Sequence, residues 1–285
     1  MIPSKIKIDQ LEIKHTISEY KKCSLDLKVN AKKGDGGVLL IIGGSEMYTG
    51  APYYAAKAAF LSGVDLVYIL TCESEFSGPA TTSLKTLLPE CIILPVLSFD
   101  LEIHTFILNR VTSVLLGSGM GRPDDFTSDK IVQIMEYIQK RPISIPIVVD
   151  GDGIRFVSVF DQIDLKNAVL TPNYNERQHL ENLNRDAACI LFKEAEDIIA
   201  SDRWVGKVET QGGFRRCGGI GDVLAGTIAS LTNRLPLILS VLHSCMLTRE
   251  AARMAFKNFE ITMSSQDVLD ELKKMLSKDC CTVNL

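Results

Sequence analysis

Val38-Leu39-Leu40-Ile41-Ile42 contains no polar residue and ends abruptly at Gly43-Gly44-Ser45. A strand with one wet face alternates apolar and polar side chains, so a run that is apolar throughout needs cover on both faces. In practice that means a parallel sheet with helices on either side. Strand-like runs of the same buried character return at Val64 to Thr71, Cys91 to Val96, Val111 to Leu116, Ile145 to Val149 and Ala168 to Thr171. Between them lie helical segments. Gly50-Ala51-Pro52 opens one that runs through Tyr53 to Ser62, with proline in its first turn, Gly63 beyond its end, and Ala55, Ala56, Ala58 and Ala59 small enough for tight packing. Thr127 to Lys140, capped near Thr127 or Ser128, puts Ile131, Ile134, Met135 and Ile138 on one face. Ala188 to Phe192 and Asp197-Ile198-Ile199 read as further strands, and Leu237 to Phe259 and Val268 to Leu276 as helices. Residues 1 to 34 read as an amphipathic helix on Ile13, Ile17 and Tyr20, followed by a polar lead-in. The expectation is an α/β chain without repeat or linker, whose ligand sites lie at the carboxyl ends of the strands.

Composition narrows the choice of partner. A 285-residue chain with 46% hydrophobic residues can bury a large core, and a net charge of -4 disfavours a general binder of nucleic acid or of anionic membranes. No apolar run reaches the ~20 residues that span a bilayer. The eight cysteines lack C-x-x-C spacing, and Cys280 and Cys281 are adjacent; this fits reduced thiols in a cytoplasmic protein without structural zinc. The first fifteen residues lack the apolar core of a secretory signal. His15, His104, His179 and His243 are too scattered to form a metal site, and Trp204 reads as a packing residue. Pairing of subunits through the early helices stays open.

The chemistry concentrates in the turns. In Arg215-Arg216-Cys217-Gly218-Gly219-Ile220-Gly221-Asp222 a glycine cluster opens a helix, where free backbone N–H groups and the positive end of the dipole hold an anion. Asp222 follows the last glycine. It is placed either to take a proton beside a bound phosphoryl group or simply to cap the helix. Gly117-Ser118-Gly119-Met120-Gly121-Arg122 either brings backbone and an arginine close to a phosphate or makes a structural turn. Asp150 and Asp152 can hold hydrated magnesium or shape a turn. Asn173 and Glu176 either point together into a cleft or form a capping box.

Taken in order, these turns resemble the ribokinase-like superfamily and, within it, the ATP-dependent NAD(P)H-hydrate dehydratases. The resemblance rests on Gly43-Gly44-Ser45 with Tyr48-Thr49-Gly50-Ala51-Pro52-Tyr53; Gly117 to Arg122; Asp150-Gly151-Asp152-Gly153; Leu170-Thr171-Pro172-Asn173 with Glu176; Lys193 to Asp197; and Arg215 to Asp222. It covers residues 32 to 272 or so and implies one three-layer αβα sandwich with a mostly parallel central sheet. The implied reaction is a repair: ATP and the S epimer of hydrated NADH or NADPH give ADP, phosphate and the restored dinucleotide. Asp222 would be the base, with Gly219 and Gly221 stabilising phosphoryl charge. The hydrated dinucleotide would lie near Gly119, Asn173, Tyr174, Asn175, Glu176, Arg177, Gln178, His179 and Asp222. ATP would lie near Lys193, Glu194, Ala195, Glu196 and Asp197, and near Gly212, Gly213, Phe214, Arg215, Arg216, Cys217, Gly218, Gly219, Ile220 and Gly221. Glu176 would act on Mg2+, directly or through water. The chain departs from the family pattern in a shorter interval between Glu176 and Lys193, in Ser118 and Gly151, and in Glu194, which replaces a glycine and puts negative charge beside the nucleotide. A small-molecule kinase of the superfamily and a non-catalytic nucleotide-binding relative are the alternative readings.

Overall fold

A computed structural model describes residues 31–73, 78–183, 186–201 and 205–277. The expected N-terminal helix on Ile13, Ile17 and Tyr20 lies outside the described residues, as do His15, Trp204, Cys280 and Cys281. One sheet of nine strands organises the molecule: β1 (Val38–Ile42), β2 (Leu66–Thr71), β3 (Ile92–Pro95), β4 (Ser113–Leu116), β5 (Ile147–Val149), β6 (Ala168–Leu170), β7 (Cys189–Phe192), β8 (Asp197–Ala200) and β9 (Val205–Val208). Their spatial order is β3-β2-β1-β4-β5-β6-β7-β8-β9. Pairing is parallel from β3 through to β7, and antiparallel only between β7 and β8 and between β8 and β9.

The unbroken apolar runs are explained by cover on both faces. Leu40 and Ile42 of β1 join one buried cluster with Ile107, Ile131 and Ile154, which come from α3 (Leu101–Leu108), α4 (Asp125–Gln139) and α5 (Asp152–Val159). Leu39 and Ile41 point the other way, toward Ala55 and Ala59 of α1 (Gly50–Leu61), Leu84 of α2 (Pro79–Leu87), Ile228 of α6 (Ile220–Leu231) and Val241 of α7 (Leu237–Phe259). A further cluster seals α8 (Ser265–Ser277) over α6 and α7 through Val223, Leu247 and Leu272. The result is the three-layer αβα sandwich that the resemblance implies. Among the described residues no helix is long and apolar enough to cross a membrane.

The alanine-rich face of α1 does more than rest on the sheet. A Cβ added to Gly226 of α6 would come within 2.1 Å of the Ala55 carbonyl oxygen, so the two helices touch through backbone. The start of α4 differs from expectation. Its cap is Asp124, whose carboxylate accepts from the Thr127 N–H at 2.7 Å, so the helix begins before Thr127. An aspartate there satisfies a free first-turn donor, which Thr127 and Ser128, buried inside the first turn, do not.

Candidate active site

The chain runs from β1 out to β3 and then crosses back to place β4 on the other side of β1. Open α/β sheets bind ligands outside the carboxyl ends of the strands at such a reversal, because the two neighbouring turns diverge there. Here the two turns touch. Gly44 donates its N–H to the Ser118 carbonyl at 2.9 Å, and a Cβ on Gly43 would sit 2.3 Å from that oxygen. Gly117 is required for another reason: its φ of 114° is left-handed and a Cβ would meet the Asp150 carbonyl at 2.0 Å. Close backbone packing, rather than contact with a ligand, therefore accounts for Gly117. Gly119 packs against Tyr48 and Ala51, and its carbonyl accepts from Ser45 Oγ at 3.0 Å.

Three adjacent parallel strands each deliver the residue that follows them to one point: Asp150 after β5, Thr171 after β6 and Lys193 after β7. Asp150 Oδ1 accepts from Thr171 Oγ1 at 2.6 Å and from Lys193 Nζ at 2.5 Å. Asp152, the second aspartate of the turn, faces elsewhere and accepts from the Gly121 N–H at 2.8 Å. The two aspartates that the sequence offered as a magnesium site are thus bonded to different partners. Among the described residues no group of three His, Cys, Asp or Glu is arranged to hold a metal ion.

The glycine stretch comes to Lys193 from the opposite side. Gly219 is the N-cap of α6 in the left-handed region, φ 99°, and a Cβ there would strike the Tyr54 ring at 2.7 Å. Gly218 is held by Ser265, whose Oγ donates to its carbonyl at 2.5 Å. A Cβ at Gly221 would lie 3.6 Å from Lys193 Nζ. Asp222 lies in the first turn and the N-cap position is taken by Gly219, so Asp222 is not the N-cap residue. Burial, and then the neighbouring Asp150 carboxylate, push its pKa from 3.8 up to about 7, with Lys193 and the Ser118 hydroxyl pulling the other way. Lys193 stays charged. Burial pulls its pKa down, but the carboxylates of Asp150, Glu176 and Asp222 outweigh that and raise it overall.

Asn173 and Glu176 bond reciprocally. Asn173 Oδ1 accepts from the Glu176 N–H at 3.0 Å while Glu176 Oε2 accepts from the Asn173 N–H at 2.9 Å, and Asn173 Nδ2 donates to Glu176 Oε1 at 2.5 Å. The bonds are those of a capping box, but the turn that follows is 3-10, Glu176–Asn182, with Asn175 at its N-cap, so Asn173 and Glu176 do not hold the N-cap and N3 positions. The pairing also leaves Glu176 close to the cluster: burial raises its pKa, with Lys193 acting in the opposite direction.

A cavity of about 410 Å³ opens beside this cluster. Of the residues expected around ATP, Lys193, Glu194, Asp197, Gly212, Gly213, Arg215, Arg216, Cys217, Ile220 and Gly221 line it, and Asn173 joins them from the other set. Ala195, Glu196, Phe214, Gly218 and Gly219 lie outside its lining; Glu196 pairs with Lys207, and the exposed Phe214 ring meets Phe256 edge-on at 5.4 Å. Tyr174 is 82% exposed. Arg177 turns from the cleft to Glu194 and to the Phe192 ring. Gln178 donates to the Asn175 carbonyl at 3.0 Å, and His179 lies half-buried in the same turn. A second, more polar cavity of about 690 Å³ lies on the Ser45, Tyr48, Gly121 and Arg122 side.

Arg249 escapes a reading of the sequence. From the middle of α7 its Nε donates to Asp197 at 2.6 Å, and its terminal nitrogens donate to the carbonyls of Glu194, Ala195 and Thr210. It fixes the turn that carries Lys193 and Glu194 into the cavity. Nothing in its helical context marks it out, since its partners are more than thirty residues away.

Comparison with known proteins follows the same outline. A family model described as NAD(P)H-hydrate dehydratase matches residues 39–274. The chain belongs to the NAD(P)H-hydrate dehydratase family. The ATP-dependent (S)-NAD(P)H-hydrate dehydratase of Ciona intestinalis is 31% identical over 96% of this chain and 83% of its own length. That of Arabidopsis thaliana is 32% identical over 90% of this chain and 82% of its own. Among solved structures, the ADP/ATP-dependent NAD(P)H-hydrate dehydratase of Bacillus subtilis, co-crystallised with ATP/Mg2+, shares the fold with a TM-score of 0.67 at 18% identity. It covers 93% of this chain and 96% of that one. A Streptococcus mutans protein of the same fold superposes with a TM-score of 0.75 at 21% identity, covering 94% of this chain and 99% of that one.

Proposed function

We propose that this dehydratase-family chain uses ATP to dehydrate the S epimer of hydrated NADH or NADPH, with Asp222 as the base. The observation that carries the reading is the position of a half-buried carboxylate, one residue beyond Gly221 at a helix N-terminus that opens on the cavity, where desolvation and Asp150 push its pKa up to about 7. A base with that pKa is half ionised at neutral pH, which favours both its correct protonation state and proton transfer.

ATP occupies the 410 Å³ cavity, with its phosphates toward Gly221 and Lys193 in the lining and toward the helix N-cap, Gly219, just behind it. Backbone N–H groups of the first turn of α6 and the Lys193 ammonium oppose the charge that builds on the phosphoryl group. The hydrated ring reaches Asp222 from the Ser118-Gly119 side, and the rest of the dinucleotide extends toward the second cavity. Asp222 accepts the proton of the ring hydroxyl, whose oxygen attacks the γ-phosphorus and releases ADP. The C–O bond of the phosphorylated ring then breaks, phosphate leaves with the electron pair, and loss of a ring proton restores the double bond.

The donor set fits a magnesium ion that arrives on the nucleotide. Mg2+ keeps several waters and binds through one or two carboxylates together with substrate phosphates. Glu176, already oriented by Asn173, would offer one such carboxylate, directly or through water. When bound, the ion neutralises phosphate charge.

Purified protein given ATP, magnesium and the S hydrate is expected to regenerate reduced-nicotinamide absorbance and to release inorganic phosphate. Asp222→Asn is expected to abolish both. A stable phosphorylated product would mean a kinase instead, and normal turnover by the Asn variant would remove Asp222 from the role of base.

A further inference from the structure

Glu194 is a carboxylate in the lining of a cavity that the proposed function fills with a triphosphate. Its backbone cannot swing away. The Glu194 N–H donates to Asp197 Oδ1 at 3.3 Å and its carbonyl accepts from Arg249 at 2.9 Å. Left alone, a fixed negative charge in that wall repels polyanions. It is not alone, because Arg177 reaches across from the 3-10 turn and pairs with it.

The local design makes this pairing the governing contact of Arg177. The guanidinium stacks on Phe192, the last residue of β7, 4.8 Å from the ring centroid. Only one terminal nitrogen reaches Glu194, and the buried Nε has no hydrogen-bond partner among the described residues. A buried donor without an acceptor is a cost, so ring stacking and the charge of Glu194 hold the side chain in place. Arg177 itself does not line the cavity. It stands behind the wall and acts through Glu194.

We propose that Arg177 is a positioning residue that holds and neutralises Glu194, and thereby removes one repulsive charge from the wall of a cavity that takes a nucleoside triphosphate. The inference rests on ATP occupying this cavity. It also assigns Arg177 to the nucleotide side of the site, away from the dinucleotide hydrate.

Charge neutralisation and a purely structural strap predict different signs. Arg177→Ala uncovers the carboxylate, and the KM for ATP is expected to rise about fivefold with kcat little changed. Glu194→Gln leaves the arginine uncompensated, and the same KM is expected to fall by a factor of about three. The double variant is expected to return close to wild type, and all these differences shrink in 0.5 M salt, since screening shortens to a few ångströms there. A strap would make both single variants worse, leave the double variant unrescued and show no salt dependence; that pattern overturns the proposal. Because Glu194→Gln is expected to improve binding, misfolding cannot imitate it. The location of ATP is read separately by alkylation of Cys217, a half-buried thiol in the cavity lining. Protection of Cys217 by ATP together with an unchanged KM in both single variants defeats the role of Arg177 alone. Absence of protection defeats the placement of ATP and this inference with it.

Discussion

Asp222→Asn is expected to destroy activity and yet stabilise the protein, with a pH signature that follows from the partly desolvated carboxylate. The pKa of Asp222 is 3.8 in the ordinary case and about 7 in the folded chain. Below pH 4 the group is protonated in both folded and unfolded states and contributes no difference. As pH rises from 4 to 7 the unfolded chain releases its proton while the native state keeps it, so native stability is lost progressively across that window. Above about pH 7 the loss is complete. The gap of about three pH units, at about 1.4 kcal/mol each, corresponds to about 4 kcal/mol. Asparagine has the same shape and no charge to bury, so it escapes this loss. Its amide has donors of its own to satisfy, which offsets the gain by about 1–2 kcal/mol at every pH. The informative quantity is therefore the pH dependence of the difference between the two proteins. Chemical denaturation of both from pH 4 to pH 8 should show the variant gaining about 4 kcal/mol on the wild type over that range. Titrating groups that do not sense Asp222 are present in both proteins and cancel. A difference that stays flat with pH would refute the premise that Asp222 is held uncharged by burial and by Asp150.

Two further outcomes test the surroundings of the base. Lys193→Gln removes the cation that holds the Asp222 pKa down, so the acid limb of the kcat/KM profile should move above its wild-type position and activity lost at pH 7 should return toward pH 9; an equal loss at all pH values would assign Lys193 to phosphate binding alone. Gly226→Ala forces apart the backbone contact between α6 and α1, and thermal or urea unfolding should report a loss of about 1–3 kcal/mol.

The strands were legible because the environment they enter is uniform. When both faces of β1 are covered, every position from Val38 to Ile42 must be apolar, and that is visible without knowing which helix provides the cover. The hairpin of β8 and β9 was only half visible. Val205–Val208 contains Gly206 and Lys207 and is partly exposed, so it lacks the same signal. Helix α2 was likewise silent, since only Ala80, Thr81 and Leu84 of its residues are buried.

In the site, the sequence by itself determined where backbone had to come close. Gly219 with its left-handed φ, Gly221 and the adjoining Asp222 announce a helix N-terminus able to face an anion, because those properties are local to a few residues. The tertiary structure alone decided what charge each group carries. Asp150 lies 43 residues from Lys193, and Arg249 lies 52 residues from Asp197, yet these pairs set the electrostatics of the cavity. It also turned Glu194, an apparent obstacle to ATP when read along the chain, into half of an ion pair with Arg177. Backbone conformation is fixed by neighbours in sequence, whereas the field at a buried carboxylate is the sum over neighbours in space. Only the folded sheet, by ending β5, β6 and β7 side by side, brings those neighbours together.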